Sequence, residues 1–139
     1  MKRVIVDTGP LVALLNANDA HHEWARETMS RLKPPLFTCE PVLAEAAYLV
    51  RRLAGGPQAV LDLLARGVIQ VDFRVDSDLL ALRTLLTKYA SVPMSLADAC
   101  LVRMSEVVPR SHILTLDGDF KVYRRSGRLS IPLITPAEA

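Results

Sequence analysis

Aromatic residues are scarce in this chain of 139 residues: one Trp, three Tyr and three Phe make up 5% of it. Its hydrophobic fraction of 50% is therefore mainly aliphatic, and we expect an aliphatic core. Glycine (6) and proline (9) are too few for a collagen-like or linker composition. High hydrophobicity with a net charge of only +2 excludes an intrinsically disordered chain. The length fits a single domain over residues 1–139.

The chain also lacks metal-binding cysteine patterns and long apolar runs. Cys39 and Cys100 form no C-x-x-C pair, and the three histidines provide no zinc spacing beside them. We interpret both cysteines as buried thiols in a reducing compartment. No run approaches the roughly 20 apolar residues of a membrane span. Asp7, Gly9 and Pro10 interrupt the first apolar run too early for a signal peptide. We therefore expect a soluble cytoplasmic protein with no membrane partner.

Short apolar runs alternate with helical segments along the whole chain. The patterns predict strands over residues 4–6, 36–39, 68–71, 112–116 and, at an edge, 131–134. They predict helices over residues 10–15, 20–32, 41–53, 57–66, 76–89, 96–107 and 120–124. The first strand has no polar alternation, which is typical of a strand buried on both faces of a parallel sheet. We expect an α/β fold: a three-layer α/β/α sandwich with a central, mostly parallel sheet of four to five strands.

Two acidic residues follow predicted strands directly. Asp7 comes after Val4-Ile5-Val6, and Asp117 comes after the strand 112–116. Ligands of open α/β sheets bind at the carboxyl ends of the strands, so both carboxylates are candidates for a site. Each also has a purely local explanation. Asp7 is a suitable helix cap, and Asp117-Gly118 is a common turn pair.

Two further acids interrupt apolar helix faces. The helical neighbours of Glu45, three and four positions away, are all uncharged, so its side chain is expected on the apolar face. Asp98 is placed similarly in the sixth predicted helix. Alternatively, Glu45 reaches water at the edge of the apolar stripe. Residues 95–98, Ser-Leu-Ala-Asp, also form a variant of the capping box, which is compatible with a role in a site.

The four acids together carry more weight than any one of them. If the strands before Asp7 and Asp117 are neighbours, four carboxylates meet in one cleft and need a counter-charge. Oxygen ligands without histidine or cysteine favour Mg²⁺ or Mn²⁺ over Zn²⁺. Mg²⁺ held by carboxylates typically serves phosphate chemistry. The sequence contains no nucleophile elbow and no P-loop, so we expect water to be the nucleophile.

Four short motifs, in this order and at this chain length, resemble those of the PIN-domain ribonucleases, most closely the VapC-type toxins. They are residues 4–11, Glu45 within the third helix, residues 95–99 and residues 115–120, Thr-Leu-Asp-Gly-Asp-Phe. The resemblance covers essentially the whole chain, and no departure occurs at the four acids. It implies a PIN-like fold.

The resemblance also implies a site and an activity. Asp7, Glu45, Asp98 and Asp117 are the implied catalytic and metal ligands, with Mg²⁺ as cofactor and Mn²⁺ as a substitute. The implied supporting residues are Thr8, Thr115 and Asp119. The implied reaction is hydrolysis of RNA phosphodiesters by a metal-activated water. The implied partners are RNA, a second copy in a homodimer and a cognate antitoxin.

Basic residues near these motifs are candidates for contacts with the RNA backbone. The densest cluster lies just after Asp117, and the candidates are Lys121, Arg124, Arg125 and Arg51. Each of them is also explained as solvated surface charge.

Two other functions remain open. A PIN-like nuclease outside a toxin pair, acting in RNA processing, has the same motifs. A non-catalytic interaction module on the same fold is disfavoured, because all four acids are present.

Overall fold

The structure is a computed structural model that describes residues 2–136. The strands are β1 (Arg3–Val6), β2 (Leu36–Thr38), β3 (Ile69–Val71), β4 (Ser111–Leu114), β5 (Arg124–Arg125), β6 (Leu129–Ser130) and β7 (Leu133–Ile134). The helices are α1 (Thr8–Leu15), α2 (His22–Ser30), α3 (Glu40–Leu49), α4 (Gly56–Ala65), α5 (Leu79–Lys88) and α6 (Leu96–Val107). Short 3-10 helices cover Val75–Ser77 and Gly118–Lys121.

A five-stranded parallel sheet with the order β3-β2-β1-β4-β7 forms the centre of the fold. The central strand β1 pairs with β2 on one side and with β4 on the other, where Val6 is opposite Leu114. The two strands expected to carry acids at their ends, β1 and β4, are therefore neighbours. The predicted mostly parallel sheet is confirmed. A separate antiparallel pair, β5 and β6, was not predicted.

Helices cover both faces of the sheet. α1 contacts α2 and α3, and α3 contacts α4, whereas α5 packs against α6. The connections from β1 to β2 and from β2 to β3 run in one direction, and the connection from β3 to β4 runs back. Because such crossovers are right-handed, the direction change places α1–α4 on one face and α5–α6 on the other. The predicted three-layer α/β/α sandwich is confirmed.

The end of α4 agrees with the sequence prediction, since Gly67 adopts a φ of +73° just beyond it. The Val68 N–H donates to Leu63 O at 2.9 Å, and the Gly67 N–H donates to Leu64 O at 3.1 Å. These two bonds form a Schellman motif, which satisfies the last carbonyl groups of the helix. The left-handed conformation explains the glycine at this position.

Three helices are shorter than predicted. α5 covers Leu79–Lys88 rather than residues 76–89, and Val75–Ser77 before it is a separate 3-10 helix. α3 ends at Leu49 rather than near residue 53, because turn hydrogen bonds such as Arg51 N–H to Tyr48 O replace the helical pattern. α2 starts at His22 rather than at residue 20. The carboxylate of Asp19 accepts a hydrogen bond from the His21 N–H at 2.8 Å and holds these residues in a turn.

The segment after β4 also differs from the expectation. The predicted helix over residues 120–124 is instead the 3-10 helix Gly118–Lys121, and Arg124–Arg125 is strand β5. The Asp117 carboxylate caps this 3-10 helix by accepting from the Asp119 N–H. Because of this cap, the helical turn begins directly after Asp117, two residues earlier than predicted.

The core is mainly aliphatic, as expected, and is centred on β1, β4 and α6. Two of the largest fully buried side chains are nevertheless aromatic, namely Phe120 and Tyr123. Both lie in the segment after β4. Within residues 2–136, no helix is both long and apolar enough to cross a membrane.

We predict that Gly67→Ala lowers the free energy of unfolding by about 1 kcal/mol, because a Cβ disfavours the left-handed conformation. Urea denaturation measures the change. The control is Gly118→Ala, where the φ is not in the left-handed region and an added Cβ would meet no atom within 4 Å beyond its chain neighbours. An equal loss at both positions would contradict the role of φ.

Candidate active site

The cleft begins where β1 and β4 end side by side. Asp7 follows β1, and its N–H donates to Leu114 O of β4 at 3.0 Å. Asp7 is 7% exposed and caps α1 by accepting from the Thr8 N–H at 2.7 Å. Its other carboxylate oxygen, Oδ2, accepts from Thr115 Oγ1 at 2.7 Å. The capping role and a place in the cleft, weighed as alternatives from the sequence, are both present.

The same threonine links Asp7 to the next acids along the chain. Thr115 Oγ1 accepts from the Asp117 N–H at 2.9 Å, and Asp117 Oδ1 accepts from the Asp119 N–H at 2.9 Å. Thr115 is fully buried, whereas Asp117 is exposed. The hydrogen bonds thus run from the buried end of the cleft towards solvent and fix the backbone that carries both acids.

Asp98 approaches from the other side, in the first turn of α6. Its N–H donates to Ser95 Oγ at 3.0 Å, so the predicted cap at Ser95 is present. Its carboxylate Oδ2 accepts from the hydroxyl of Tyr123 at 2.8 Å. The start of α6 is therefore fixed at both the backbone and the acid side chain.

Three of these acids form a compact group. Asp98, Asp117 and Asp119 each have a carboxylate oxygen within 4.8 Å of one from the other two. They line a cleft of about 560 Å³. The other residues that line it are Asp7, Thr8, Gly9, Val12, Asp19, His21, Glu45, Leu49, Pro93, Ser95 and Leu116. Asp7 and Glu45 share the cleft but not the compact group, in which Asp119 takes part instead.

For Glu45, the expected place on a buried apolar face was wrong, and the alternative of a side chain that reaches water is confirmed. Glu45 is exposed, since the buried side of α3 carries Val42 and Ala46 instead. The uncharged neighbours that suggested an apolar face include Tyr48 and Leu49, which are themselves 61% and 50% exposed. Glu45 therefore lies at the rim of the cleft on an exposed apolar surface.

The first turn of α1 lies close to the loop after β4. A Cβ added to Gly9 would lie 3.3 Å from the Leu116 side chain, which is tighter than ordinary contact. Thr8 beside it is buried, and its Oγ1 has no hydrogen-bond partner among the described residues. Only its backbone N–H supports Asp7, so the expected hydrogen-bonding role of Thr8 is carried by the main chain.

The electrostatics follow from burial. Desolvation is the main reason that the pKa of Asp7 is raised from 3.8 to about 6. The hydrogen bond from Thr115 opposes this increase, and the nearby charges of Asp98 and Asp117 add to it. Burial also raises the pKa of Asp98, while the hydrogen bond from Tyr123 opposes that increase.

The basic candidates lie outside the described lining of the cleft. The guanidinium of Arg124 donates to three consecutive backbone carbonyls, of residues 121–123, at 2.7, 3.2 and 3.1 Å. The guanidinium of Arg51 lies 3.8 Å from the ring centroid of Tyr48. Arg125 is half-buried in β5, and Lys121 is exposed in the 3-10 helix next to Asp119.

The sequence interpretation missed two features of the cleft. Tyr123, which lies between the basic residues Lys121 and Arg124, was not assigned to the cleft, although the aromatic residues Phe120 and Tyr123 closely follow two acids. Asp19 was expected only as a helix cap and His21 was not expected as a ligand, yet both line the cleft. They belong to a loop far from the acids in sequence, so no local pattern pointed to them.

Comparison with known proteins adds independent information. A family model described as "PIN domain" matches residues 4–126. Among solved structures, the chain is similar to Mycobacterium tuberculosis VapC20, a sarcin–ricin loop cleaving toxin. The TM-score is 0.74 at 26% sequence identity, over 86% of this chain and 93% of that chain. No curated protein sequence matches the chain.

We predict that Asp7→Asn stabilises the metal-free protein above neutral pH. The folded-state pKa of Asp7, about 6, lies above the ordinary value of 3.8. Between pH 3.8 and pH 6, therefore, Asp7 is protonated mainly in the folded state. The stability contribution of Asp7 is thus complete below about pH 4 and is lost as the pH rises through about 6. Asp7→Asn has no carboxylate to ionise at this position. Its free energy of unfolding at pH 8 should therefore exceed that of the wild type by about 1–3 kcal/mol.

Urea denaturation in EDTA at pH 4 and pH 8 measures the effect. The gain should shrink towards pH 4, and Asp62→Asn, which changes an exposed acid on α4, should show none. If the variant is less stable than the wild type at pH 8, the hydrogen bonds of the ionised Asp7 carboxylate stabilise the fold by more than its desolvation destabilises it.

Proposed function

Because the chain belongs to the PIN domain family, we propose that it is a Mg²⁺-dependent endoribonuclease and the toxin of a toxin–antitoxin pair. The observation that carries the proposal is the compact group of Asp98, Asp117 and Asp119 beside the buried Asp7. We further propose that residues 1–139 form one PIN-like domain that acts on cytoplasmic RNA.

The donor set fits a hard divalent cation. The three acids provide oxygen ligands within 4.8 Å of one another, and Mg²⁺ and Mn²⁺ prefer such ligands. We propose that Asp98, Asp117 and Asp119 contact the cation, with Asp7 and the rim residue Glu45 contributing charge or a water-mediated contact. A bound Mg²⁺ would polarise the phosphate and lower the pKa of a water molecule.

In this proposal, the side chains of the protein position the reacting groups and form no covalent bond with the RNA. The hydroxyl of Ser95 is committed to the cap of α6, and that of Thr115 is committed to Asp7 and Asp117. Both are therefore poor nucleophiles, which supports attack by water. The supporting residues Thr8 and Thr115 act by fixing Asp7, through the main chain and the side chain respectively.

Two surfaces support protein partners. Tyr48 and Leu49 on α3 are exposed beside Glu45, and Leu49 lines the cleft. We propose that the antitoxin covers this apolar surface and thereby blocks the cleft. Leu80 at the start of α5 is 82% exposed, which supports pairing with a second copy in a homodimer.

We predict that the purified protein cleaves RNA in Mg²⁺ or Mn²⁺ but not in EDTA. Asp98→Asn should lower the cleavage rate by more than about 100-fold, since losing even the partner of a metal ligand costs 10–100-fold. Denaturing gels with product-end mapping, on a mixed RNA and on a sarcin–ricin loop hairpin, measure the rate. The expected products carry 5′-phosphate ends.

The matched control is Asp62→Asn, which should cleave like the wild type. Wild-type protein that neither cleaves RNA nor binds metal would exclude the nuclease and favour an interaction module. Induced expression in cells separates the remaining alternatives. Growth arrest that Asp98→Asn relieves supports a toxin, whereas tolerated expression of an active enzyme supports RNA processing.

We predict that Lys121→Ala weakens RNA binding without base preference, because a phosphate contact carries no sequence information. The slope of log K against log salt should fall in magnitude by about 0.7–1. Fluorescence anisotropy in EDTA at several salt concentrations measures it. Arg74→Ala is the control, because Arg74 follows the edge strand β3 and not β4, after which the acids lie. Equal slopes in Lys121→Ala and wild type would remove Lys121 from the RNA surface.

A further inference from the structure

Tyr123 is a fully buried side chain whose only polar atom reaches the acidic cleft. Its relative exposure is 0%, and its hydroxyl donates to Asp98 Oδ2 at 2.8 Å. A buried tyrosine hydroxyl needs a partner, and here the partner is a carboxylate of the compact acidic group. The bond joins residues 25 positions apart, so it connects two separate elements of the site.

The backbone of Tyr123 makes the second half of this connection. Its N–H donates to Asp119 O at 3.1 Å, at the end of the 3-10 helix Gly118–Lys121. Tyr123 is therefore attached by its main chain to the segment that carries Asp117 and Asp119. Through its side chain it is attached to the acid on α6. One residue thus contacts both the acid on α6 and the segment that carries the other two acids.

The ring of Tyr123 is held in place by two other aromatic residues. It packs edge-to-face on Phe120 with the centroids 5.2 Å apart, and on Tyr89 at 5.0 Å. Tyr89 contributes to this packing through its ring, since its hydroxyl bonds outside the cluster and accepts from the Arg124 N–H at 2.9 Å. The hydroxyl of Tyr123 consequently has little freedom to move away from Asp98.

A neutral donor is suited to this position. Three carboxylates this close repel one another, so Asp98 would tend to rotate away before a cation binds. A lysine or arginine would hold it but would cancel the negative charge that attracts the cation. The phenol holds Oδ2 and leaves the charge in place, and an ionised carboxylate retains further acceptor sites.

We propose that Tyr123 is a positioning residue that presents Asp98 to the divalent cation. This inference rests on the proposed metal-dependent function. Tyr123 acts through Asp98 and does not touch the substrate. Its role is to preorganise the metal site through the hydrogen bond to Asp98.

The test compares two tyrosine-to-phenylalanine variants. Tyr123→Phe keeps the ring and removes the hydroxyl bonded to Asp98, while Tyr89→Phe removes the neighbouring hydroxyl, which bonds a backbone N–H instead. Calorimetric titration with Mn²⁺ and with Mg²⁺ measures metal affinity. We expect Tyr123→Phe to bind metal about 10–100-fold more weakly, and Tyr89→Phe to stay within about twofold of the wild type.

A second readout separates positioning from a general structural effect. Raised Mg²⁺ should restore most of the RNA cleavage rate of Tyr123→Phe at unchanged KM, since the defect is in metal occupancy. The free energy of unfolding of both variants, measured in EDTA, reports on packing without the contribution of a bound metal. If Tyr123→Phe does not fold, ¹⁹F NMR of fluorotyrosine-labelled wild type replaces it. The Tyr123 signal should then shift on Mg²⁺ binding by more than that of Tyr89, whose hydroxyl bonds a backbone N–H and no acid.

The outcomes separate the two proposals. Metal affinity of Tyr123→Phe equal to that of the wild type, or a Tyr123 signal that ignores Mg²⁺, overturns the positioning role and leaves the proposed function intact. Wild-type protein that binds no metal overturns the proposed function and this inference together. Equal losses in both variants also overturn the positioning role, because they would reflect packing.

Discussion

The hydrogen bond between Thr115 and Asp7 joins the ends of the two central strands, 108 residues apart, at 2.7 Å. It exists because β1 and β4 are neighbours, with Val6 opposite Leu114. The backbone that carries Asp117 depends on the same threonine, whose oxygen accepts from the Asp117 N–H. The carboxyl ends of parallel strands form a crevice where the chain changes direction across the sheet. The bond between Thr115 and Asp7 lies at the buried end of this crevice.

Carboxylates that lie this close repel one another, and the described lining of the cleft contains no lysine or arginine to offset that repulsion. Main-chain N–H groups, the Thr115 hydroxyl and the Tyr123 hydroxyl donate to Asp7, Asp98 and Asp117. These donors are neutral, so the cleft keeps its negative charge. Burial still leaves Asp7 with a pKa of about 6, which means that the metal-free site is destabilised at neutral pH. A cation would relieve this destabilisation.

Sequence patterns predicted the fold well and the surroundings of the acids less well. The alternation of strands and helices predicted the three-layer sandwich, and Gly67 marked the end of α4. Because the helical neighbours of Glu45 are uncharged, the sequence left open an apolar face or the edge of the apolar stripe. The structure exposes Glu45, since Tyr48 and Leu49 are exposed too. Periodicity shows which residues share a face of a helix, but it does not show which face meets the core when several faces are apolar.

The sequence by itself determined the element types, the aliphatic core and the presence of acids after β1 and β4, because these follow from local composition and spacing. Tertiary structure decided which carboxylates converge. It brought Asp119 rather than Glu45 close to Asp98 and Asp117, and it placed Tyr123 behind Asp98. Such contacts depend on strand order and on how α6 packs against the sheet. The bond from Tyr123 to Asp98 spans 25 positions, and no local period in the sequence carries that information.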